Sequence, residues 1–413
     1  MAIRTLYDLV RVKTTTTGTG TATLGAAVSG FLDATAIPNS TKVSYSIFDL
    51  GSPGSEMGEG TIGSSGTTLT RDTVFASTNS GSKLSLSGNA QVVITAAAED
   101  LYWKGAPGGR LSLTTDAVQK ADVVGGTQVN YIPHTHPFLP GAILGGLIIP
   151  SGGIFLLLDS NSGHTGYQQS GKLFDLFLYN DAGTLRLCTG PAWFSSSSRL
   201  TAGGTNITNG ATGLGGYWVN STSMTLKFDN TSSTLTAATG TALYVGTMYA
   251  SANGQCTCQF NPTPATGGCA TLVGLFNAYN REPLTAANVD TPGPWTNGSD
   301  SFLLSNSSAS NRIYFVDGLG VLSTECTFEN TTTTGNAVTM ITLGFNITSI
   351  GAAPFVRGLF SSADVFSTLV CKAHAPPTLG LNFYQCFDYG SSSSPATFYA
   401  STQNFLQTLR SMF

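Results

Sequence analysis

The sharpest chemical feature of the sequence is His134-Thr135-His136, set among prolines in YIPHTHPFLP. Pro133, Pro137 and Pro140 bias the residues before them to extended backbone, so His134 to His136 are expected to be extended too. In an extended chain, residues two apart point the same way with Cβ atoms about 7 Å apart, and both imidazoles would face one axis. Imidazole suits iron, zinc and nickel, but two histidines from one chain are too few alone. Metal binding at His134 and His136 therefore requires an oligomer. The competing reading is two ordinary polar residues in a proline-rich linker.

Other chemistry has weaker support. Glycoside cleavage uses two carboxylates about 5 to 10 Å apart. Asp and Glu total 22, and Glu282, Asp290, Asp317 and Glu325 stand singly, with no spacing that puts two in one groove. His164 and His374 are isolated and lie near no Gly-x-Ser-x-Gly elbow, so a serine-hydrolase triad has no local support. GGTNITNGATGLGG lacks the lysine and the strand-to-helix setting of a phosphate loop and reads as turns. Seven cysteines (Cys188, Cys256, Cys258, Cys269, Cys326, Cys371, Cys386) are an odd number without CxxC spacing, which suits buried free thiols. Cys256 and Cys258 would share one strand face, a poor geometry for bonding each other. Trp193, Trp218 and Trp295 sit beside Gly, Pro and Asn, where an exposed ring could stack on a sugar, although most tryptophans are core. No catalytic or cofactor-binding residue is assigned, and the expectation is a protein that is not an enzyme.

Composition indicates what must position these residues. Of 413 residues, 41% are hydrophobic, as in ordinary globular proteins, but only 10% are charged against the usual quarter. Gly, Ser, Thr and Asn take the place of charge. Strands tolerate Ser and Thr on a wet face and turns demand Gly and Asn, so the composition is that of an all-β protein. A net charge of −4 with Lys and Arg scattered offers no footprint for a phosphate backbone, and nucleic-acid binding is not expected. The opening Met-Ala-Ile-Arg-Thr has no signal-peptide pattern, which points to production in a cytoplasm. Phe138 to Leu158 is uncharged over about the length of a membrane span. Pro150-Ser151-Gly152-Gly153 interrupts it, so two short buried strands around a turn, or a subunit interface, fit better than membrane insertion.

Along the chain, Val43, Tyr45 and Ile47 alternate with serines, as do Leu84 and Leu86, and Val92 and Ile94 keep the same period of two. With glycine turns between, residues 1–102 read as a small β-sandwich or barrel. Residues 103–140 read as a connector. Residues 141–413 read as a larger β-sandwich or jelly-roll-like domain. Its expected strands are Ile154 to Leu158, Leu173 to Tyr179, Thr184 to Cys188, Met224 to Phe228, Ala242 to Tyr249, Leu272 to Tyr279, Ser301 to Leu304, Arg312 to Val316 and Met340 to Phe345. Phe405, Leu409 and Met412 stand at helical spacing and suggest a short C-terminal helix.

Residues 9–31 (LVRVKTTTTGTGTATLGAAVSGF), with VSYSIFD at 43–49, EMGEGTI at 56–62 and TTLTRDTVFASTNSG at 67–81, resemble a small β-domain of phage tail and fibre proteins. GTLRLCTGPAW (183–193), YWVN (217–220), ALYVGTMYASANGQ (242–255), LFNAYNREP (275–283) and NSSASNRIYFVDGL (306–319) resemble proteins encoded in phage structural gene clusters. The resemblance implies a tailed-bacteriophage virion protein, foremost a homotrimeric tail fibre or spike for assembly and host attachment. Its first domain would dock on other tail or capsid proteins, and the distal domain could meet a host surface glycan. A capsid decoration or head-fibre protein is the alternative, and a polysaccharide depolymerase comes third. The HxH segment is similar to those with which trimeric fibres hold an iron on the threefold axis, which implies about one iron per three chains. Nothing after residue 350 adds to the resemblance.

Overall fold

Apolar residues alternating with Ser, Thr and Gly form strands along nearly the whole chain, and the protein is all-β. The computed structural model describes residues 5–100, 105–201, 206–209, 217–291, 293–333, 338–350, 356–360, 366–376, 378–401 and 405–413. It forms two compact units. The first takes in the chain up to Gly105 and the segment Pro140–Gly146, and the second takes in Ala106–Leu139 and nearly everything described beyond Leu147.

In the first unit a six-stranded sheet runs in the order Arg11–Thr14, Ala90–Ile94, Lys42–Asp49, Gly54–Gly63, Thr68–Ser77, Ala22–Thr23. The sheet closes into a barrel. Leu24 N donates to Thr67 O on one side, and Gly25 N donates to Lys13 O on the other. Closure leaves no free edge between these strands. Val12, Val43, Tyr45, Ile47, Ile62, Leu69, Val92 and Ile94 fill the interior. Strand Gly54–Gly63 shifts register twice against Thr68–Ser77, at Met57/Gly58 and at Glu59/Gly60. A Cβ on Gly58 would lie 2.2 Å from Thr73 O, and one on Gly60 2.2 Å from Thr70 O, so the wall bends where only glycine fits.

The second unit packs a large sheet against a smaller one. The large sheet follows Thr234–Ala237, Met224–Lys227, Thr184–Ala192, Leu173–Asp181, Ala242–Ala252, Gln255–Cys258, Thr271–Val273, Arg312–Asp317, Gly380–Tyr389, Val338–Phe345 and Val356–Phe360. The smaller one follows Pro283–Asn288, Phe405–Met412, Thr324–Thr333, Ala396–Ala400 and Gly293–Asn297, with Ser367–Ala375 also paired to Thr324–Thr333. Thr324, Cys326, Phe328 and Asn330 are buried while Glu325, Thr327 and Glu329 between them are not, as a half-buried strand requires. Ile313, Phe315, Ile341, Leu343, Tyr384 and Cys386 of the large sheet share one core with Cys326, Phe328, Phe398, Phe405 and Leu409 of the smaller. This is β-sandwich character. Each strand expected beyond residue 141 is present, with Leu272 to Tyr279 divided at Gly274.

Three expectations are corrected. Residues 103–140 are not a connector between domains, because most of the segment is built into the second unit. Gly109–Ser112 and Ile154–Leu157 flank Gln128–Pro133 in a three-stranded sheet, and Val123–Gly126 pairs with Gln255–Cys258. Leu111, Leu113, Val129 and Tyr131 recur there at period two, but Arg110, Ser112, Asn130 and Ile132 between them are buried as well, so the strands carry no clean half-buried signal. Within Phe138 to Leu158, Gly141–Leu144 is a single helical turn capped by a left-handed Gly145, and Ile154–Leu157 is a strand. Finally, Phe405–Met412 is a strand and not a helix. A spacing of four is a multiple of the strand period, so Phe405, Gln407 and Leu409 all face inward, while Met412 is exposed. None of the seven cysteines forms a disulfide, and only Cys269 is partly exposed. Among the described residues no helix is long and apolar enough to cross a membrane.

Candidate functional site

Strand Gln128–Pro133 runs directly into a bend at His134 and Thr135, with His136 just after it. The N–H groups of His134 and Thr135 both donate to Gly108 O at 2.9 Å, and this shared acceptor turns the chain. The two rings meet different partners. His134 Nε2 lies 2.8 Å from Glu282 Oε1, whereas His136 Nδ1 accepts the Phe138 N–H at 3.2 Å. Glu282 is placed by paired backbone bonds with Phe413, its N donating to Phe413 O at 2.9 Å and its O accepting from Phe413 N at 3.0 Å. Arg110 lies nearby, buried, with Nη1 donating to Asn280 O at 2.6 Å; burial pushes its pKa down to about 10, with Glu282 opposing. The Glu282 carboxylate thus bonds a histidine and acts electrostatically on a buried cation. Among the described residues no group of three or more His, Cys, Asp or Glu could hold a metal ion.

The other carboxylates weighed for chemistry serve as joints. Asp290 is fully buried and accepts from Gly267 N at 2.7 Å, Asn311 Nδ2 at 2.7 Å and Asn306 Nδ2 at 3.0 Å. Asp317 accepts the N–H groups of Gly320 and Leu322, each at 2.8 Å. Glu325 lies on a strand face beside Lys372, 3.6 Å away, and His374, 3.5 Å away. Trp193 is buried with the Arg199 guanidinium 4.2 Å over its ring. Trp295 stacks on Phe398 at 5.8 Å and donates Nε1 to Asp388 Oδ2 at 2.8 Å, and Trp218 is half-buried. None of the three offers a wholly exposed ring for a sugar.

Sequence reading missed three buried ionic clusters. In the barrel, Glu56 takes Arg71 Nε at 2.8 Å, Arg71 Nη2, Tyr45 Oη at 2.7 Å and Leu84 N at 2.6 Å. Burial pushes the Glu56 carboxyl up, but these donors outweigh it and hold it below the ordinary value. In the second unit, Arg199 grips Asp175 through Nε at 2.6 Å and Nη2 at 3.0 Å, and Thr247 Oγ1 donates to the same carboxylate at 2.8 Å. Asp159 lies 2.8 Å from both Lys227 Nζ and His164 Nδ1. Burial opposes its ionisation, yet Lys227, the Asn161 N–H and His164 hold it low. The main ion-pair partners, Glu56 with Arg71, Asp175 with Arg199 and Asp159 with Lys227, lie on different strands or loops, and no spacing rule joins them.

No protein-family model matches the chain, and no curated protein matches it. Among solved structures it is similar to the mosquito-larvicidal Cry4Aa toxin from Bacillus thuringiensis, at 8% identity over 71% of this chain and with a TM-score of 0.18. The chain spans 50% of that toxin chain. It is also similar to the infectious bursal disease virus Gx strain structure, at 11% identity over 99% of this chain and 78% of that one, again with a TM-score of 0.18. At such scores neither likeness carries an argument about fold or function.

Proposed function

We propose that this chain is a structural protein of a tailed-bacteriophage virion, assembled in the host cytoplasm as a homotrimeric tail appendage for assembly and host attachment. The observation that carries the reading is where the fibre-like residues fall. Val10, Val12, Leu24, Val43, Tyr45, Ile47, Ile62 and Leu69 of the resembling segments are core of the barrel, and Glu56 and Arg71 form its buried ion pair. The likeness to phage β-domains thus includes residues that determine the barrel as well as the largely exposed Thr/Gly run at 15–21 and the turn at 79–81. A surface of Ser, Thr and Gly suits permanent assembly, because burying it desolvates few charges. The barrel docks on other virion proteins, and the second unit faces the host or a neighbouring subunit. Asp290, Asp317, Trp193 and Trp295 are engaged in internal contacts, which supports a structural role, while Glu325 and His374 pair on an outer strand face. Iron on the threefold axis, held by His134 and His136 of three chains, belongs to this reading and would require His134 to exchange its Glu282 partner for the metal.

Antibody labelling of intact particles tests the location. Label on the tail is expected; label on the head would make the chain a capsid decoration or head-fibre protein, and absence from particles would end the virion reading. Release of reducing ends from host polysaccharide by purified protein would replace it with a depolymerase.

A further inference from the structure

The second unit carries a concavity of about 320 Å³ on strands Leu173–Asp181, Thr184–Ala192, Met224–Lys227 and Thr234–Ala237. A bulge helps to shape it. Phe174 pairs with Ala192 and Leu176 with Thr189, so Asp175 alone spans Gly190 and Pro191, and the bulged strand bends. Gly190 is required at this place, since a Cβ there would meet the Phe177 ring at 2.9 Å. Thr189 pairs with Lys227, and Lys227 with Thr234, so the three side chains form a row on one face, with Thr225 beside it. The segment Thr165–Gln169 borders the row, and Gly166 sits over the Lys227 stem.

The lining selects a class of ligand. Lys227, the cation in the lining, is buried and ends on Asp159, so it offers no unpaired charge. Thr165, Gln169, Thr225 and Thr234 are exposed and make no side-chain hydrogen bond with any described residue. Thr189 Oγ1 accepts from Gln168 Nε2 at 2.7 Å and is fully buried, so it underlies the concavity and the exposed threonines carry its hydrogen-bonding capacity. Tyr167 adds a half-buried aromatic ring. An apolar ligand would strand these hydroxyls, and an anion would find the ammonium already paired. A ring carrying several hydroxyls and an apolar face satisfies both kinds of lining, and the volume lies at the small end of the range for small-molecule sites.

We propose that this concavity is a binding site for a neutral saccharide. The inference rests on the attachment reading only for where the saccharide comes from, a host surface, and not for its chemistry.

The test titrates the purified full-length chain with the methyl glycosides of glucose, galactose and mannose, N-acetylglucosamine and neutral disaccharides, followed by saturation-transfer NMR and calorimetry. At least one is expected to bind, and Tyr167→Ala and Thr225→Val are each expected to weaken it about tenfold while the thermal melt stays unchanged. No binding at millimolar concentration, equal binding by both variants, or preference for a uronic acid would overturn the proposal. Particle labelling separates the two readings. Saccharide binding without tail label leaves the site and removes attachment, and tail label without saccharide binding does the reverse.

Discussion

At the scale of single residues, the buried carboxylates decide how the protein responds to substitution and to acid. Glu56 and Arg71 are fully buried, so neutralising one leaves the other charge without its partner. Glu56→Gln is expected to cost about 3–5 kcal/mol, read as a lower urea midpoint of the barrel's transition. Because the folded Glu56 carboxyl is held below its ordinary value, its contribution is complete above about pH 4.3 and is lost as pH falls through the folded value. Asp388 behaves in the opposite sense. Burial raises it from 3.8 to about 6, against the bonds from Asn297 and Trp295. The native state then holds a proton that the unfolded chain releases, so this group lowers stability as pH rises from about 4 to 6, and the penalty persists above that. Urea titrations of the second unit at pH 4 and pH 6.5 should show that slope in the wild type and lose it in Asp388→Asn. An unchanged slope would mean that Asp388 is not its source.

At the scale of elements, the strand Phe405–Met412 is the most direct test of period. A helix would place Leu409 and Met412 on one face, whereas the strand puts Leu409 in the core and leaves Met412 47% exposed. Leu409→Ala is expected to cost about 2–5 kcal/mol, and Met412→Ala no more than about 0.5 kcal/mol, by equilibrium denaturation. Comparable losses at both positions would contradict the strand. The same ambiguity did not arise at Val43, Tyr45 and Ile47, where serines between the apolar residues leave only the period of two. Those residues were legible by their alternation, whereas Leu173–Tyr179 and Ala242–Tyr249 were legible as short, nearly continuous apolar runs, as strands buried on both faces are.

At the scale of the whole molecule, the boundary between the units is set by pairing and not by composition. The barrel closes on residues before Gly105 and has its own core, so a fragment 1–105 should fold and unfold cooperatively by circular dichroism. A fragment beginning at residue 141 should not fold as a unit. It would lack Leu111, whose N–H donates to Asn277 Oδ1 at 2.7 Å, and Gln128–Pro133, which holds strands on both of its edges. Native-like dispersion in the NMR spectrum of that second fragment would contradict this architecture.

Local pattern determined the all-β class, most strand positions and the glycine turns, because these follow from side-chain alternation and backbone freedom within a few residues. Tertiary structure decided which distant groups meet: Glu282 on His134, Lys227 on Asp159, Arg71 on Glu56, and residues 106–139 within the second unit. Each such meeting depends on sheet register and bulges, and register is settled by packing of the whole core rather than by any short run of sequence. The HxH segment is the clearest case. Its residue types were legible as metal ligands, but the backbone that aims them is bent by Gly108, and Glu282, which one of them meets, lies 148 positions away.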